Sequence, residues 1–277
     1  MIVERDLVQR HNMTLKIAII IPARYGSTRL EGKPLIRLAG QTMLQRVAAI
    51  ARAAAAGRPE TQCLVATDDA RIAAHCEEIG IQYAMTPAEC PSGTDRVAKA
   101  VETLPQQPDF ILNLQGDAPF TPPDFLQAMI DAFIISPCDV VTPVTQLDWA
   151  QLDTLREQKK NTPSSGTCAV FSPHNGHAYW FSKNIIPAIR NEEKLRASES
   201  KSPVFRHIGL YGYSLAMLRR YSSLKESHFE TLEGLEQLRM LENGYHIRCV
   251  QVDYAGRPSM SGIDSPEDVR RAENLLK

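Results

Sequence analysis

The chain has 277 residues, 43% of them hydrophobic, with 31 basic against 32 acidic side chains. This apolar fraction excludes wholesale disorder, and the length suits one large α/β domain or two small ones. The balanced charge excludes a dedicated nucleic-acid binder, so an anionic ligand needs a local cluster of cations.

Six cysteines (63, 76, 90, 138, 168 and 249) are scattered without a C-x-x-C pair. That is neither a disulfide framework nor a zinc site, and it fits a reduced, cytoplasmic protein. The longest apolar run, Ile17 to Ile21, is far too short to span a bilayer, so no membrane partner is expected. Residues 1–15 read as an N-terminal extension, with Met13 as an alternative start, and residues 16–277 as a single domain.

Ile17 to Pro22 is a continuous apolar run before a polar loop, the pattern of a buried parallel strand. Thr42 to Ala56 reads as an alanine-rich helix with Met43, Leu44, Val47 and Ile50 on one side, ended by Gly57-Arg58-Pro59. Cys63 to Thr67 is a second buried strand, and Asp68-Asp69 open a helix over Ala70 to Ile79, closed by Gly80. Ile81 to Met85 is a third strand, Gly93 to Leu104 a helix, and Phe110 to Leu114 a fourth strand ending at Gln115-Gly116-Asp117. The alternation predicts an α/β fold, a mostly parallel central sheet with helices on both faces. Ligands in such sheets bind beyond the carboxyl ends of the strands, which groups Arg24–Lys33, Thr67–Asp69 and Gln115–Asp117.

The second half is less regular. Asp139 to Val144 and Cys168 to Phe171 read as strands, and the latter pairs as a hairpin with Ala178 to Phe181 across a turn at 173–177. The charged, serine-rich stretch Asn191 to Ser202 reads as a mobile loop. Leu232 to Leu241 reads as a helix and His246 to Val252 as a strand. Ser265-Pro266-Glu267-Asp268 is a strong helix start.

The loop Arg24 to Lys33 holds three cations and two glycines, a composition suited to polyphosphate. It is not a Walker P-loop: five residues separate Gly26 from Gly32, and Pro34 follows the lysine. A solvated basic surface is the alternative. Asp117, at a strand end, reads equally as a Mg²⁺ ligand or as a turn aspartate before Pro119, and Asp264 has the same two readings. Together with the cationic loop, the two acids suggest cations on phosphates and a metal bridging them. Ser92 and Arg96, taken alone, read as a helix cap and a surface arginine. His207, taken alone, reads as a core histidine, although it lies in a stretch (Arg206 to Tyr213) dense in glycine and polar aromatics. His174 and His177 read as surface residues, and the cysteines as packing.

In combination these segments resemble the 3-deoxy-manno-octulosonate cytidylyltransferases. The matching stretches are Ile21 to Leu35, Ala66 to Asp69, Ser92 to Arg96, Asn113 to Asp117, Arg206 to Tyr213, Leu235 to Arg239 and Gly262 to Asp268, in family order from about Lys16 onward. The sequence departs from the family pattern at Ala118, where glutamate is usual, and at Ser214, where arginine is usual. It also lacks an expected lysine in Thr167 to Phe171.

The resemblance implies a nucleotide-diphospho-sugar transferase fold. It also implies a cytoplasmic homodimer with a dimerisation and sugar-side portion around residues 137–245, and a role in lipopolysaccharide biosynthesis. It implies CTP and an acidic sugar as substrates, Mg²⁺ as cofactor and pyrophosphate as product. Arg24 and Lys33, with Ser27 and Arg29, would hold the triphosphate, and Asp117 and Asp264 the magnesium. Arg24, Lys33 and Asp117 would carry the catalysis. Ser92 and Arg96 would line the cleft, and Gln115, His207, Tyr211, Glu236 and Gln237 would face the sugar. His207 and Gln115 would donate hydrogen bonds to it, and Glu236 would accept them. The alternatives are a cytidylyltransferase for another acid (the 8-amino analogue or a phosphonate) and a catalytically inactive nucleotide-binding homologue.

Overall fold

A computed structural model of the protein describes residues 15–26, 30–260 and 262–276. The extension assigned to residues 1–15 therefore lies outside the described residues, apart from Leu15. Strand β1 (Ile17–Ala23) runs into the cationic loop. The short strands β2 (Arg37–Leu38) and β3 (Gln41–Thr42) lead to α1 (Met43–Ala55), and then β4 (Thr61–Thr67), α2 (Ala70–Glu78), β5 (Gln82–Met85), α3 (Gly93–Glu102) and β6 (Phe110–Asn113) follow. The sequence places each of these larger elements correctly because their apolar runs and caps are local signals. Thr42 caps α1 by accepting from the Gln45 amide at 3.1 Å, Asp69 caps α2, and Ser92 caps α3.

Strands β5, β4, β1 and β6 pair in parallel in that spatial order. β1 shows why: Ile17, Ile19 and Ile21 enter one core and Ala18 and Ile20 the other, so both faces must be covered. α1, α2 and α4 (Pro123–Ile135) cover the first face. α3 and, later in the chain, α7 (Leu215–Tyr221) and α9 (Glu236–Glu242) cover the second.

After α4 come β7 (Val140–Asp148), α5 (Trp149–Asn161), the antiparallel hairpin β8 (Cys168–Phe171) and β9 (Ala178–Ser182), then α6 (Glu192–Ser198), β10 (Lys201–His207) and β11 (Tyr211–Ser214). β11 slots antiparallel between β6 and β7, so β7 runs in the same sense as β6, and β12 (Ile247–Gln251) pairs parallel to β7. β10 pairs antiparallel with both β7 and β8. Gly212 makes the insertion of β11 possible, since a Cβ there would stand 2.2 Å from the Phe110 ring. The final helix, α10 (Pro266–Leu275), starts with the Ser265/Asp268 capping box.

Two expectations are corrected. Asn191 to Ser202 is not a loop: it forms α6 and the start of β10. Glu192 accepts both amino groups of Arg156 at 2.7 Å and also pairs with Arg196, one turn along α6. These hydrogen bonds hold its carboxyl down at about 2. The charges that suggested a solvated segment are thus paired with one another across two helices.

The single helix expected over Leu232 to Leu241 is two, α8 (His228–Glu233) and α9. Gly234, at φ 63°, ends α8 in the left-handed conformation. Among the described residues, no helix is long and apolar enough to cross a membrane.

Candidate active site

The chain leaves β1, builds β4 and β5 on one side of it, and returns through α3 to β6 on the other. The crevice beyond the carboxyl ends of β1 and β6 is therefore the topological switch point. There a cleft of about 260 Å³ is lined by Arg24, Lys33, Ser92, Arg96, Gln115, Asp117 and Asp264, together with Cys90.

Local features shape this cleft. Gly116 lets the end of β6 pass close to β1, because a Cβ on it would fall 2.6 Å from the Pro22 carbonyl oxygen. The loop after β1 closes on itself where the Gly32 amide donates to the Tyr25 carbonyl at 3.0 Å. Gly32 adopts φ 63°, and the Tyr25 ring lies against it while the Arg71 guanidinium stacks 3.3 Å above that ring. The next residues, Lys33 to Leu35, form a 3₁₀ turn that directs Lys33 into the cleft.

The Lys33 ammonium donates to Asp117 Oδ2 at 2.6 Å and to Asp264 Oδ1 at 3.0 Å. Burial disfavours its charge, but the charges and hydrogen bonds of the two acids outweigh that and lift its pKa above the ordinary lysine value. The Ile263 amide donates to the Asp117 carbonyl at 3.0 Å and brings Asp264 alongside. Three residues 84 and 231 positions apart thus meet at one charged centre. Arg24 is exposed and has no hydrogen-bond or ion-pair partner among the described residues. Ser27 and Arg29 lie outside the described residues.

Ser92 and Arg96 line the cleft, yet both carry structural duties. Ser92 accepts from the Asp95 amide and donates to its carboxylate. Arg96 is buried and donates to Thr86 Oγ1 at 2.6 Å and to Asp68 Oδ2 at 2.9 Å. It is a pillar of the cleft wall, not a surface arginine. Its partner, Asp68, lies in the Thr67–Asp69 stretch that the sequence reading groups with the cleft without naming it as a site residue.

His207, Tyr211 and Gln237 gather in a second, more buried cluster, beside the cleft rather than in its lining, with the exposed Glu236 at its edge. Tyr211 lies in register with Asn113 across β11 and β6. Its hydroxyl donates to Gln237 Oε1 at 2.8 Å, and Tyr221 donates to Glu236 Oε2 at 3.0 Å. Gln237 Nε2 is buried without a hydrogen-bond partner among the described residues. An unmet buried donor costs on the order of 1–3 kcal/mol, which a ligand acceptor would recover.

Thr142 donates to the Leu210 carbonyl at 2.8 Å, so its oxygen must accept from His207 Nε2, also at 2.8 Å. Nδ1 is then an acceptor, where the sequence reading expects His207 to donate. Burial, with the nearby charge of Lys183, pushes the His207 pKa down to about 3.

This shift makes a prediction. The unfolded chain takes up the His207 proton near pH 6.5, whereas the folded chain does not until about pH 3. Stability should therefore fall as pH drops below 6.5, by at most about 1.4 kcal/mol per pH unit from this group. His207→Gln should flatten the fall between pH 6 and 4. A melting-temperature profile parallel to that of the parent protein would contradict it.

Sequence reasoning missed the cations of this half. Lys159, on α5, donates to the carbonyls of Pro163, Ser165, Gly166 and Lys183. Lys159 and Arg206 act electrostatically on Cys168, and Lys183 acts on Lys159 and on His207. Ser214 has a local duty: it caps α7 by accepting from the Met217 amide. The six cysteines are free, and burial raises all six thiols, Cys249 to about 12, in keeping with packing roles.

The switch-point cleft and its lysine–carboxylate centre define a nucleotide-binding α/β transferase, and the cytidylyltransferase family matches residues 18–247. A 3-deoxy-manno-octulosonate cytidylyltransferase from Maricaulis maris is 40% identical over 95% of this chain and 97% of its own length. One from Porphyromonas gingivalis is 35% identical over 96% and 98%. A solved CMP:2-keto-3-deoxy-manno-octonic acid synthetase in complex with CTP superposes with a TM-score of 0.79 at 32% identity, covering 94% of this chain and 98% of that one. The chain belongs to the 3-deoxy-manno-octulosonate cytidylyltransferase family.

Proposed function

We propose that this protein transfers CMP from CTP to the anomeric hydroxyl of 3-deoxy-manno-octulosonate and releases pyrophosphate. The observation that carries the reading is the Lys33 ammonium shared by Asp117 and Asp264 at the switch-point cleft of a chain of this family. The anomeric oxygen bonds to the α-phosphorus as the bond to the bridging pyrophosphate oxygen breaks, and the hydroxyl proton passes to water.

Arg24 and Lys33 bind phosphate charge, and Ser92 and Gly93 offer the positive end of the α3 dipole at the same wall. Orientation and charge neutralisation by these groups supply most of the rate. His207, with its pKa near 3, is too weak a base to take the hydroxyl proton and instead orders the sugar side. Gln237 Nε2 and the cation Lys183, whose charge acts on His207, suit a polyhydroxylated, carboxylate-bearing acceptor.

The donor set fits Mg²⁺. This ion is held by one or two carboxylates plus substrate phosphates rather than by a full protein cage. No cluster of three or more metal-ligating side chains occurs among the described residues, whereas Asp117 and Asp264 already converge on one cation. Bound by these two acids, the ion would neutralise phosphate charge.

The reading includes a cytoplasmic homodimer. Tyr179, Phe229 and Leu232 expose large apolar surface in the second half of the chain, and a second copy would cover it. Sedimentation giving the mass of one chain would remove the dimer.

The acceptor is tested by CTP-dependent pyrophosphate release with octulosonate, its 8-amino analogue, a sialic acid and small phosphonates. Turnover is expected with octulosonate, because a site built around hydroxyls rejects ligands that leave its own polar groups unpaired. Turnover only with another acid overturns the acceptor and leaves cytidylyl transfer standing. CTP binding without pyrophosphate release from any acid would make the chain an inactive binder.

A further inference from the structure

Asn113 ends β6, where its strand neighbours Phe110, Ile111 and Leu112 are all fully buried and apolar, and Asn113 itself is fully buried too. An amide in that position must use both of its ends or destabilise the core. Its Nδ2 donates to Thr94 Oγ1 at 3.2 Å, and its Oδ1 accepts from Gln115 Nε2, also at 3.2 Å. Thr94, the partner of Nδ2, is itself buried in the first turn of α3.

The relay has a direction. With Thr94 Oγ1 as the acceptor, Asn113 turns Nδ2 toward it. Asn113 then presents Oδ1 to Gln115, which must turn Nε2 inward. Gln115 Oε1 is left facing outward beside Gly93, 3.7 Å from where a Cβ on that glycine would stand, at the cleft wall. The two ends of an amide are nearly isosteric but opposite in hydrogen-bonding sense, so a flip would exchange an acceptor for a donor without changing the shape of the cleft.

We propose that Asn113 and Thr94 are positioning residues that fix the flip of the Gln115 amide, so that its carbonyl oxygen accepts a hydrogen bond from a hydroxyl of the sugar acid. The inference rests on the acceptor reading of the site, in which Gln115 faces the sugar. It assigns a function to two buried polar residues that the cleft does not expose, and it makes Gln115 primarily an acceptor.

Steady-state constants for both substrates test it in Asn113→Leu, Asn113→Asp and Thr94→Val, with Asn113→Leu repeated in a Gln115→Ala background. Asn113→Leu and Thr94→Val should raise the KM for octulosonate about tenfold, the loss of one oriented hydrogen bond. The KM for CTP should stay within about twofold in both. Asn113→Asp, protonated by burial, can still donate to Thr94 and accept from Gln115, and should remain near the parent enzyme.

If Asn113 acts through Gln115, Asn113→Leu should add nothing to the effect of Gln115→Ala. An undiminished effect in that background, equal rises in both KM values, or unchanged constants in Thr94→Val would each overturn the proposal alone. If Gln115→Ala itself leaves the octulosonate KM unchanged, the acceptor reading fails at Gln115 and the proposal falls with it. Thr94→Val, nearly isosteric, keeps the test open should Asn113→Leu fail to fold.

Discussion

Asp117→Asn is expected to lower the rate of CMP transfer by two orders of magnitude or more while the melting temperature hardly moves. Asparagine keeps the size of the side chain and leaves the backbone carbonyl that accepts from the Ile263 amide. The substitution removes one negative charge from the centre where Asp117 and Asp264 meet Lys33. In a phosphoryl-transfer site, that charge supports stabilisation worth several kcal/mol, and each 1.36 kcal/mol is about tenfold in rate. The effect on stability is small because the asparagine oxygen can still accept from the Lys33 ammonium, which also keeps its hydrogen bond to Asp264. If Asp117 were only a turn residue before Pro119, the balance would reverse, with near-normal rates and roughly 1 kcal/mol of lost stability. Parallel rate and melting measurements decide between these outcomes.

Lys33→Ala is expected to impair CTP use and, unlike Asp117→Asn, to destabilise the nucleotide-free fold measurably. From the sequence, a lysine among glycines at a strand end has little to pack against, so its loss would be neutral for folding. The structure changes that half of the expectation. The side chain is only 18% exposed and bridges two carboxylates from distant segments. Its removal takes from Asp117 and Asp264 the ammonium they share.

The raised pKa gives the sign. The lysine contributes stability that is fully present below the ordinary lysine pKa and is lost only as pH rises through the higher folded value. At neutral pH the whole contribution is therefore forfeited in Lys33→Ala, on the order of 1 kcal/mol for a partly exposed pair. Millimolar Mg²⁺ should raise the melting temperature of Lys33→Ala more than that of the parent, since the paired acids become available to it. Unchanged CTP constants together with an unchanged melting temperature would return this loop to solvated surface.

The parallel half of the sheet was legible because its signals are local. Apolar runs as continuous as Ile17 to Ile21 bury both faces, and capping residues such as Thr42, Asp69 and Ser92 sit where helices begin. The position of the cleft followed from the same alternation, since strand order alone creates the switch point beyond β1 and β6. The helices Pro123–Ile135 and Trp149–Asn161 went unread. The first is apolar over most of its surface, and the second buries only Leu152 and Leu155, so neither shows a clean stripe.

What the residues determined by themselves was therefore which chemistry is present: three cations and two acids near strand ends, and a polar, aromatic sugar side. What only the tertiary structure decided was how those groups are spent. Arg96 reads as a surface arginine until α3 packs it against Asp68 and Thr86. His207 reads as a donor until Thr142, whose proton is committed to Leu210, claims its Nε2 hydrogen. Asn191 to Ser202 reads as a loop until Arg156, from another helix, pairs with Glu192. The reason is the same in each case. Composition and spacing record the donors and acceptors a chain carries, whereas burial obliges each of them to find a partner, and those partners come from segments that only folding brings together.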